Sequence, residues 1–174
     1  MGREDRSVAE WRLDEAAEAD LAVVQNLGRF YVYDFSEFTG WKCPDTGLYE
    51  CRDLVRYWRR DDCWPFLVRC GGELAGFALI DRPDNEGVDY DVGEFFILRK
   101  FRRKGIGQAV AHALFDRFTG RWQVRQLQQN TPAIAFWRKV VGRYAGGGHA
   151  ESVEFFPSAG LDMIVQRFNS RTAP

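Results

Sequence analysis

The sequence predicts an α/β domain, and three observations carry that expectation. An apolar run, Phe95-Phe96-Ile97-Leu98, feeds a short basic turn, Arg102-Arg103-Lys104-Gly105-Ile106-Gly107, which opens an amphipathic segment from Ile106 to about Phe118. Further on, a polar strand from Arg121 to Gln129 leads into Asn130-Thr131-Pro132 and a second helical segment. Ahead of the basic turn, Phe66-Leu67-Val68-Arg69-Cys70, Gly71-Gly72 and Glu73 to Ile80 read as a hairpin, since Gly-Gly is a favoured two-residue turn.

From the N-terminus, Ser7 to Leu13 reads as an edge strand. Asp14 is placed to cap a helix beginning in Glu15-Ala16-Ala17-Glu18-Ala19. Leu21, Val24, Leu27 and Tyr31 recur at helical spacing, and the helix is expected to end near Tyr33 or Asp34. The stretch Phe30 to Phe38 holds five aromatics and two acids before Gly40. It is either an aromatic helix end packed on the core or a pocket wall whose acids receive a cation. Thr39 to Gly47 is a loop with a Pro44-Asp45 turn, and Leu48 to Trp58 a short second helix. Arg82 to Gly87 is a polar loop, and Val88 to Leu98 the strand that delivers the basic turn. In the next helix Ile106, Val110, Leu114 and Phe118 mark the core face, and His112 falls off that stripe toward solvent. Gly120 stops it. Thr131 is a good N-cap with Pro132 at the first helical position, and this helix should end near Gly142. Val153 to Phe156 and Leu161 to Phe168 complete the chain as an antiparallel pair.

At 174 residues the chain fits one domain, 1–174. A net charge of −1 argues against a general nucleic-acid binder, which needs a basic face. Fourteen Phe, six Trp and six Tyr imply a dense core or an aromatic-lined pocket. No apolar run approaches the ~20 residues of a membrane span, and Met-Gly-Arg-Glu-Asp-Arg has no apolar signal core, so a cytoplasmic protein without a membrane partner is expected. Cys43, Cys51, Cys63 and Cys70 form no C-x-x-C pair and have no histidine near them. Buried reduced thiols are expected, and no metal. The aromatics near Trp58 and Trp64 are either core or the face of a homodimer.

The basic turn carries the chemistry. Its glycines allow a tight turn and a close approach to a ligand. The first helical turn offers free N–H groups to an anion, and three cations stand beside it. A Walker loop is excluded because Lys104 precedes Gly105 and no Ser or Thr follows. The dinucleotide fingerprint fails at Val110, and no βαβ unit with its acidic residue follows. The remaining pattern, R-x-x-G-x-G, resembles the pyrophosphate loop of the GNAT acetyltransferases. Two further matches follow in the family's order: Asn130, Ala133, Phe136 and Trp137 take the places of its N-x-x-A-x-x-F-Y motif, and Glu94 stands where its fourth strand carries an acid. Trp122-x-Val124 with Phe136-Trp137 is similar to a bacterial subgroup described only as predicted acetyltransferases.

The resemblance spans nearly the whole chain and implies the GNAT fold, a central mixed, mostly antiparallel sheet of six to seven strands flanked by four helices. It also implies acetyl-CoA as acyl donor. Strands four and five are expected to splay near Leu98 and Gln126, with the pantetheine arm in the gap. Backbone groups around Ile97, Leu98 and Arg99 would bind that arm and polarise the thioester carbonyl. Arg102, Arg103, Lys104, Gly105, Ile106, Gly107 and Gln108 would hold the pyrophosphate, and Asn130, Phe136 and Trp137 would border the arm. The implied reaction is direct attack of a neutral amine on the thioester. Glu94 is the candidate base, with Asp91 or Asp89 as substitutes, or else it is a structural strand-end carboxylate. The tyrosine that protonates the leaving thiolate in many relatives is replaced by Trp137, whose indole cannot deliver a proton. Tyr144, Tyr33 and Tyr31 are the candidates for that role, with Tyr144 taken first. Tyr33, Asp34, Glu37 and Phe38 are expected to receive the acceptor, and acids beside aromatics suit a cation. The resulting expectation is N-acetylation of a small cationic amine. The alternatives are a protein or aminoacyl-tRNA amine as acceptor, or an acyl-CoA-binding sensor without catalysis.

Overall fold

The Gly71-Gly72 turn does form, joining β2 (Cys63–Cys70) to β3 (Glu73–Asp81), and this hairpin is the start of a sheet of seven strands. The computed structural model describes residues 10–51 and 54–171. Before the hairpin come β1 (Trp11–Glu15), a short 3-10 turn, α1 (Leu21–Thr39) and the single-turn α2 (Arg56–Arg59). After it come β4 (Tyr90–Ile97), α3 (Ile106–Arg117), β5 (Arg121–Leu127), α4 (Thr131–Ala145), β6 (His149–Phe156) and β7 (Leu161–Asn169). The strand order is β1-β2-β3-β4-β5-β7-β6, antiparallel at every pair except β4–β5. That one parallel pair follows from its connection, since α3 carries the chain back across the sheet.

The helices cover both faces. Ile106, Val110, Leu114 and Phe115 of α3 and Trp137, Val140 and Tyr144 of α4 pack with Val92, Trp122 and Phe168 of the sheet. On the other face, Val24 and Leu27 of α1 and Leu54 and Tyr57 meet Leu67, Phe77, Leu79 and Phe96.

Two irregularities of β4 create the site. Leu79 pairs with Glu94 but Ile80 pairs with Val92, so Gly93 is an extra residue, a β-bulge. Strand side chains alternate faces. Without the bulge Glu94 would share the α3/α4 face with Val92; with it, Glu94 joins Phe96 on the α1 face. The second irregularity is that β4 pairs with β5 only from Tyr90–Trp122 to Val92–Val124, although both strands run on. The expected splay therefore exists and opens earlier than Leu98 and Gln126.

Several elements differ from their sequence reading. Asp14 and Glu15 belong to β1, whose pairing with β2 runs to Glu15–Phe66, so Asp14 caps no helix. Asp20 accepts the Ala17 N–H instead, at 2.9 Å, and α1 begins at Leu21. It does not stop near Asp34 but continues to Gly40, whose φ of 68° is open to glycine. The aromatics support that continuation, with Tyr31 and Phe35 one turn apart and their rings at 4.7 Å. The helix expected over 48–58 reduces to α2, because Cys51 lies flat against α1: a Cβ on Gly28 would come within 2.8 Å of the Cys51 Cβ. Arg52 and Asp53 lie outside the described residues, as do Ser7 to Ala9 of the expected first strand.

His112 does not face solvent. Its Nε2 lies 3.0 Å from the Val140 carbonyl and its ring packs on Tyr144. Asn130, not Thr131, caps α4 by accepting the Ala133 N–H at 3.1 Å, and the helix passes Gly142 to end at Ala145. Cys63 and Cys70 are buried thiols, but Cys43 is exposed. Trp58 donates its indole N–H to Ala16 and Ala17, and Trp64 packs on Tyr90 and Phe118; both are half-buried against the core. No helix among the described residues is long and apolar enough to cross a membrane.

The bulge yields a stability prediction. A Cβ on Gly93 would stand 2.1 Å from the Tyr57 hydroxyl, which is itself held by Asp81 at 3.1 Å. Gly93→Ala should cost about 2 kcal/mol by overpacking, roughly 4–8 °C in Tm. Gly142→Ala, in α4 with nothing nearer than 4.0 Å, should instead raise Tm by roughly 2–4 °C, as removing a helical glycine does. Thermal denaturation of the two variants checks both signs.

Candidate active site

Two cavities meet at α1, where Tyr31 and Phe35 line both. One, of about 700 Å³, lies between the end of β4, the basic turn and the start of α4. The other, of about 840 Å³, lies beyond Glu94, under the loop that follows α1.

The first cavity has a left-handed basic turn at one end and an open strand edge at the other. At the turn, Arg103 (φ 62°) and Gly105 (φ 82°) take left-handed conformations. Such alternation turns successive N–H groups toward one point, and a non-glycine residue held this way is a mark of a functional site. Ala109 N–H closes the first turn of α3 on Gly105 at 3.0 Å, leaving the N–H groups before it without helical partners. Gly107 sits below Phe136, where a Cβ would already be 3.3 Å from the ring.

The splay leaves part of β4 without a strand neighbour. Leu98 N–H donates to Ala75 on the β3 side at 2.8 Å. Backbone groups alternate sides along a strand, so those of Ile97 and Phe95 point away from β3, where β5 has separated. Arg102 Nε reaches the Ile97 carbonyl at 2.6 Å. The Ile97 N–H and both backbone groups of Phe95 therefore face the gap without a strand partner, a set of donors and an acceptor that fits a pantetheine-like chain.

The second cavity holds Glu94 and Arg125. Glu94 lines it beside Arg125, Leu127 and Met163, with Tyr49 and Trp41 opposite. Burial pushes the Glu94 carboxyl up to about 7, against the pull of the Tyr31 hydroxyl and the Arg125 charge, which favour ionisation. Arg125 is itself bound to Asp91, which has no solvent exposure. Among the described residues no three His, Cys, Asp or Glu side chains gather as metal ligands would.

A family model described as Acetyltransferase (GNAT) family matches residues 29–142. The chain belongs to the GNAT acetyltransferase family. Membership makes it an acetyl-CoA-dependent N-acyltransferase in class. A comparison with curated proteins finds no matching sequence. Solved structures share the fold. An acetyltransferase from Thermus thermophilus superposes with a TM-score of 0.66 at 16% identity, covering 93% of this chain and 98% of its own. Spermidine N-acetyltransferase from Vibrio cholerae, in complex with CoA and spermine, gives 0.62 at 14%, over 92% and 95%. The ribosomal-protein-S18-alanine N-acetyltransferase from Escherichia coli gives 0.58 at 14%, over 95% and 97%.

Within this GNAT chain the sequence-derived site divides. Ile97, Arg99, Arg102, Arg103, Gly105 and Gly107 line the first cavity, as do Gln108, Asn130, Phe136 and Trp137. Leu98, Lys104 and Ile106 do not: Ile106 is core, Leu98 packs between the two core clusters and Lys104 lies over Phe101. Arg102 is not a free anion ligand, because with Arg99 it grips Asp34, each at 2.6 Å. Asp34 is thereby spent as a tie between α1 and the basic turn, and Glu37 and Phe38 open on the first cavity with it. Tyr33 lines neither cavity and packs on Tyr49. The four residues expected to receive an acceptor are therefore not in the second cavity. Tyr144 is buried against Phe115 and Phe168 and donates to Asp116 at 2.6 Å, outside both cavities. Asp89 holds Arg121, and Asp91 opens on no cavity. Trp41, Tyr49, Glu50 and Met163 escaped notice because each lies in a loop or strand end whose periodicity points nowhere; the nearest signal was the aromatic content itself.

The Glu94 environment predicts a pH-dependent stability. Its folded pKa of about 7 lies above the ordinary 4.5, so its contribution is fully present below 4.5 and is lost as pH rises through 7. Glu94→Gln should melt several degrees higher than the parent at pH 8, and the gap should close between pH 7 and 4.5. Melting curves across that range give the measurement.

Proposed function

We propose that this chain transfers an acetyl group from acetyl-CoA to the primary amine of a small cationic molecule, by direct attack on the thioester. The observation that carries the reading is the splay of β4 from β5, which runs from the basic turn at one end to Glu94 at the other.

Bound acetyl-CoA supplies an activated acyl carbon. The N–H groups around Arg103 to Gln108 hold its pyrophosphate, aided by the helix dipole. Ile97 and Phe95 bind the arm, and a backbone N–H there meets the carbonyl oxygen as charge grows on it. Glu94, near half-ionised at neutral pH, accepts a proton from the incoming ammonium. Tyr31 is the proton donor that Trp137 cannot be: it faces both cavities, and burial beside Glu94 pushes its hydroxyl up so that it keeps its proton. As the N–C bond forms and the C–S bond breaks, Tyr31 protonates the thiolate and Glu94 returns a proton to Tyr31. The ammonium gives up two protons in all: one reaches the thiol by way of Glu94 and Tyr31, and the other passes to solvent as the amide forms. The products are an amide, a free thiol and one released proton.

CoA at ~100 times its Kd should stabilise the fold by about 2.7 kcal/mol, a rise in Tm of roughly 5–10 °C. Gly107→Val, which drives a side chain into Phe136, should abolish that shift when it is measured against the variant's own ligand-free Tm. No shift in the parent at millimolar CoA rejects the donor site. With an accepted amine, kcat/KM should rise with pH through an apparent pKa near 7. Glu94→Gln should flatten that limb and lower kcat about a hundredfold or more, and a limb that persists in the variant rules Glu94 out as base.

A further inference from the structure

The second cavity narrows the acceptor, an inference that rests on the acetyltransferase reading above. Its walls are aromatic on two sides: Tyr31 and Phe35 from α1, Trp41 and Tyr49 from the following loop. Leu127 and Met163 add apolar surface from the sheet. Its volume of about 840 Å³ suits a body far larger than a short alkylamine, as pockets of ~300–1,000 Å³ hold drug-sized ligands.

Charge is sparse and mixed. Among the described residues, Glu94 and Glu50 are the carboxylates on the lining and Arg125, bound to Asp91, is the cation. The further acids of α1 do not contribute, since Asp34 is held by Arg99 and Arg102, and Glu37 opens on the donor side. Glu94, at the splay, is the carboxylate placed to receive the reacting ammonium. A polyamine would pass its remaining ammonium groups along a wall that is mostly aromatic and apolar, with Glu50 the one further carboxylate among the described lining residues, and would leave that surface poorly covered.

The lip is apolar as well. Trp41 is 53% exposed and Leu48 52% exposed in the ligand-free chain. Large apolar side chains at a cavity mouth gain burial when a flat body lies against them.

We propose that the acceptor is a primary monoamine on an aromatic body, its ammonium at Glu94 and its ring system against Phe35, Trp41 and Tyr49. The reaction acylates that nitrogen, releasing the thiol and one proton.

The test compares tryptamine, 2-phenylethylamine, spermidine and phenylalanine as acceptors by acetyl-CoA-dependent thiol release, corrected for hydrolysis. Tryptamine should exceed spermidine in kcat/KM by about thirtyfold or more, a difference of roughly 2 kcal/mol. Trp41→Ala, at a half-exposed position, should raise the tryptamine KM about five- to tenfold with CoA affinity unchanged. Spermidine turned over as well as tryptamine overturns the inference. So does phenylalanine as the preferred acceptor, which would make Arg125 a carboxylate site. If CoA raises Tm but none of the four amines releases thiol, the acceptor class is wrong and the donor site stands. If CoA gives no shift, both readings fall together.

Discussion

Between Val92 and Glu94 the ladder with β3 skips one residue, and nearly every property of the site follows from that skip. Gly93 has to be glycine because Tyr57 fills the space where a Cβ would be. Inserting it reverses the facing of the strand beyond it, so a carboxylate that would otherwise lie beneath α3 and α4 turns toward α1. It also bends β4 away from its parallel neighbour, and pairing with β5 ends at Val92. A half-desolvated acid and an unpaired backbone edge thus arise from the same local insertion.

Charge is used sparingly around that edge, and much of it goes to holding parts together. Asp34 ties the long first helix to the basic turn through Arg99 and Arg102, and Arg102 also closes on the Ile97 carbonyl. Two guanidinium groups meeting one half-buried carboxylate fix the entry of α3 relative to α1 more firmly than an exposed pair would. With Arg99 and Arg102 engaged in this way, the backbone N–H groups before Ala109 are the donors of the turn left without helical partners.

The sequence made the basic turn, the Gly-Gly hairpin, the helix after Asn130 and Glu94 legible, because each has a local cause: a glycine conformation, a cap, or an acid at the end of an apolar strand. The length of α1 was not legible. Tyr31 to Phe38 has ordinary helix propensity, and its support comes from distant partners, with Tyr31 packed on Phe77 and Phe96 and Asp34 held by Arg99 and Arg102. The fate of Asp34 was hidden for a related reason, since its partners stand 65 and 68 positions away. Tyr144 illustrates the limit of type-based reasoning: a tyrosine on the correct helix proved to be a core residue with a structural hydrogen bond. The loop from Trp41 to Cys51 carries no periodicity, so its role as a cavity wall appears only once the chain is folded.

Tyr31 and Phe35 stand at the border of both cavities, contributed by one turn of one helix. A donor and an acceptor occupying these spaces would enter by separate mouths and touch only at that shared wall. Such an arrangement fits a sequential mechanism through a ternary complex, in which neither product has to pass the other on the way out. It also means that the second half of α1 is a common boundary, so that a ligand settling against one side of it alters the shape offered to the other.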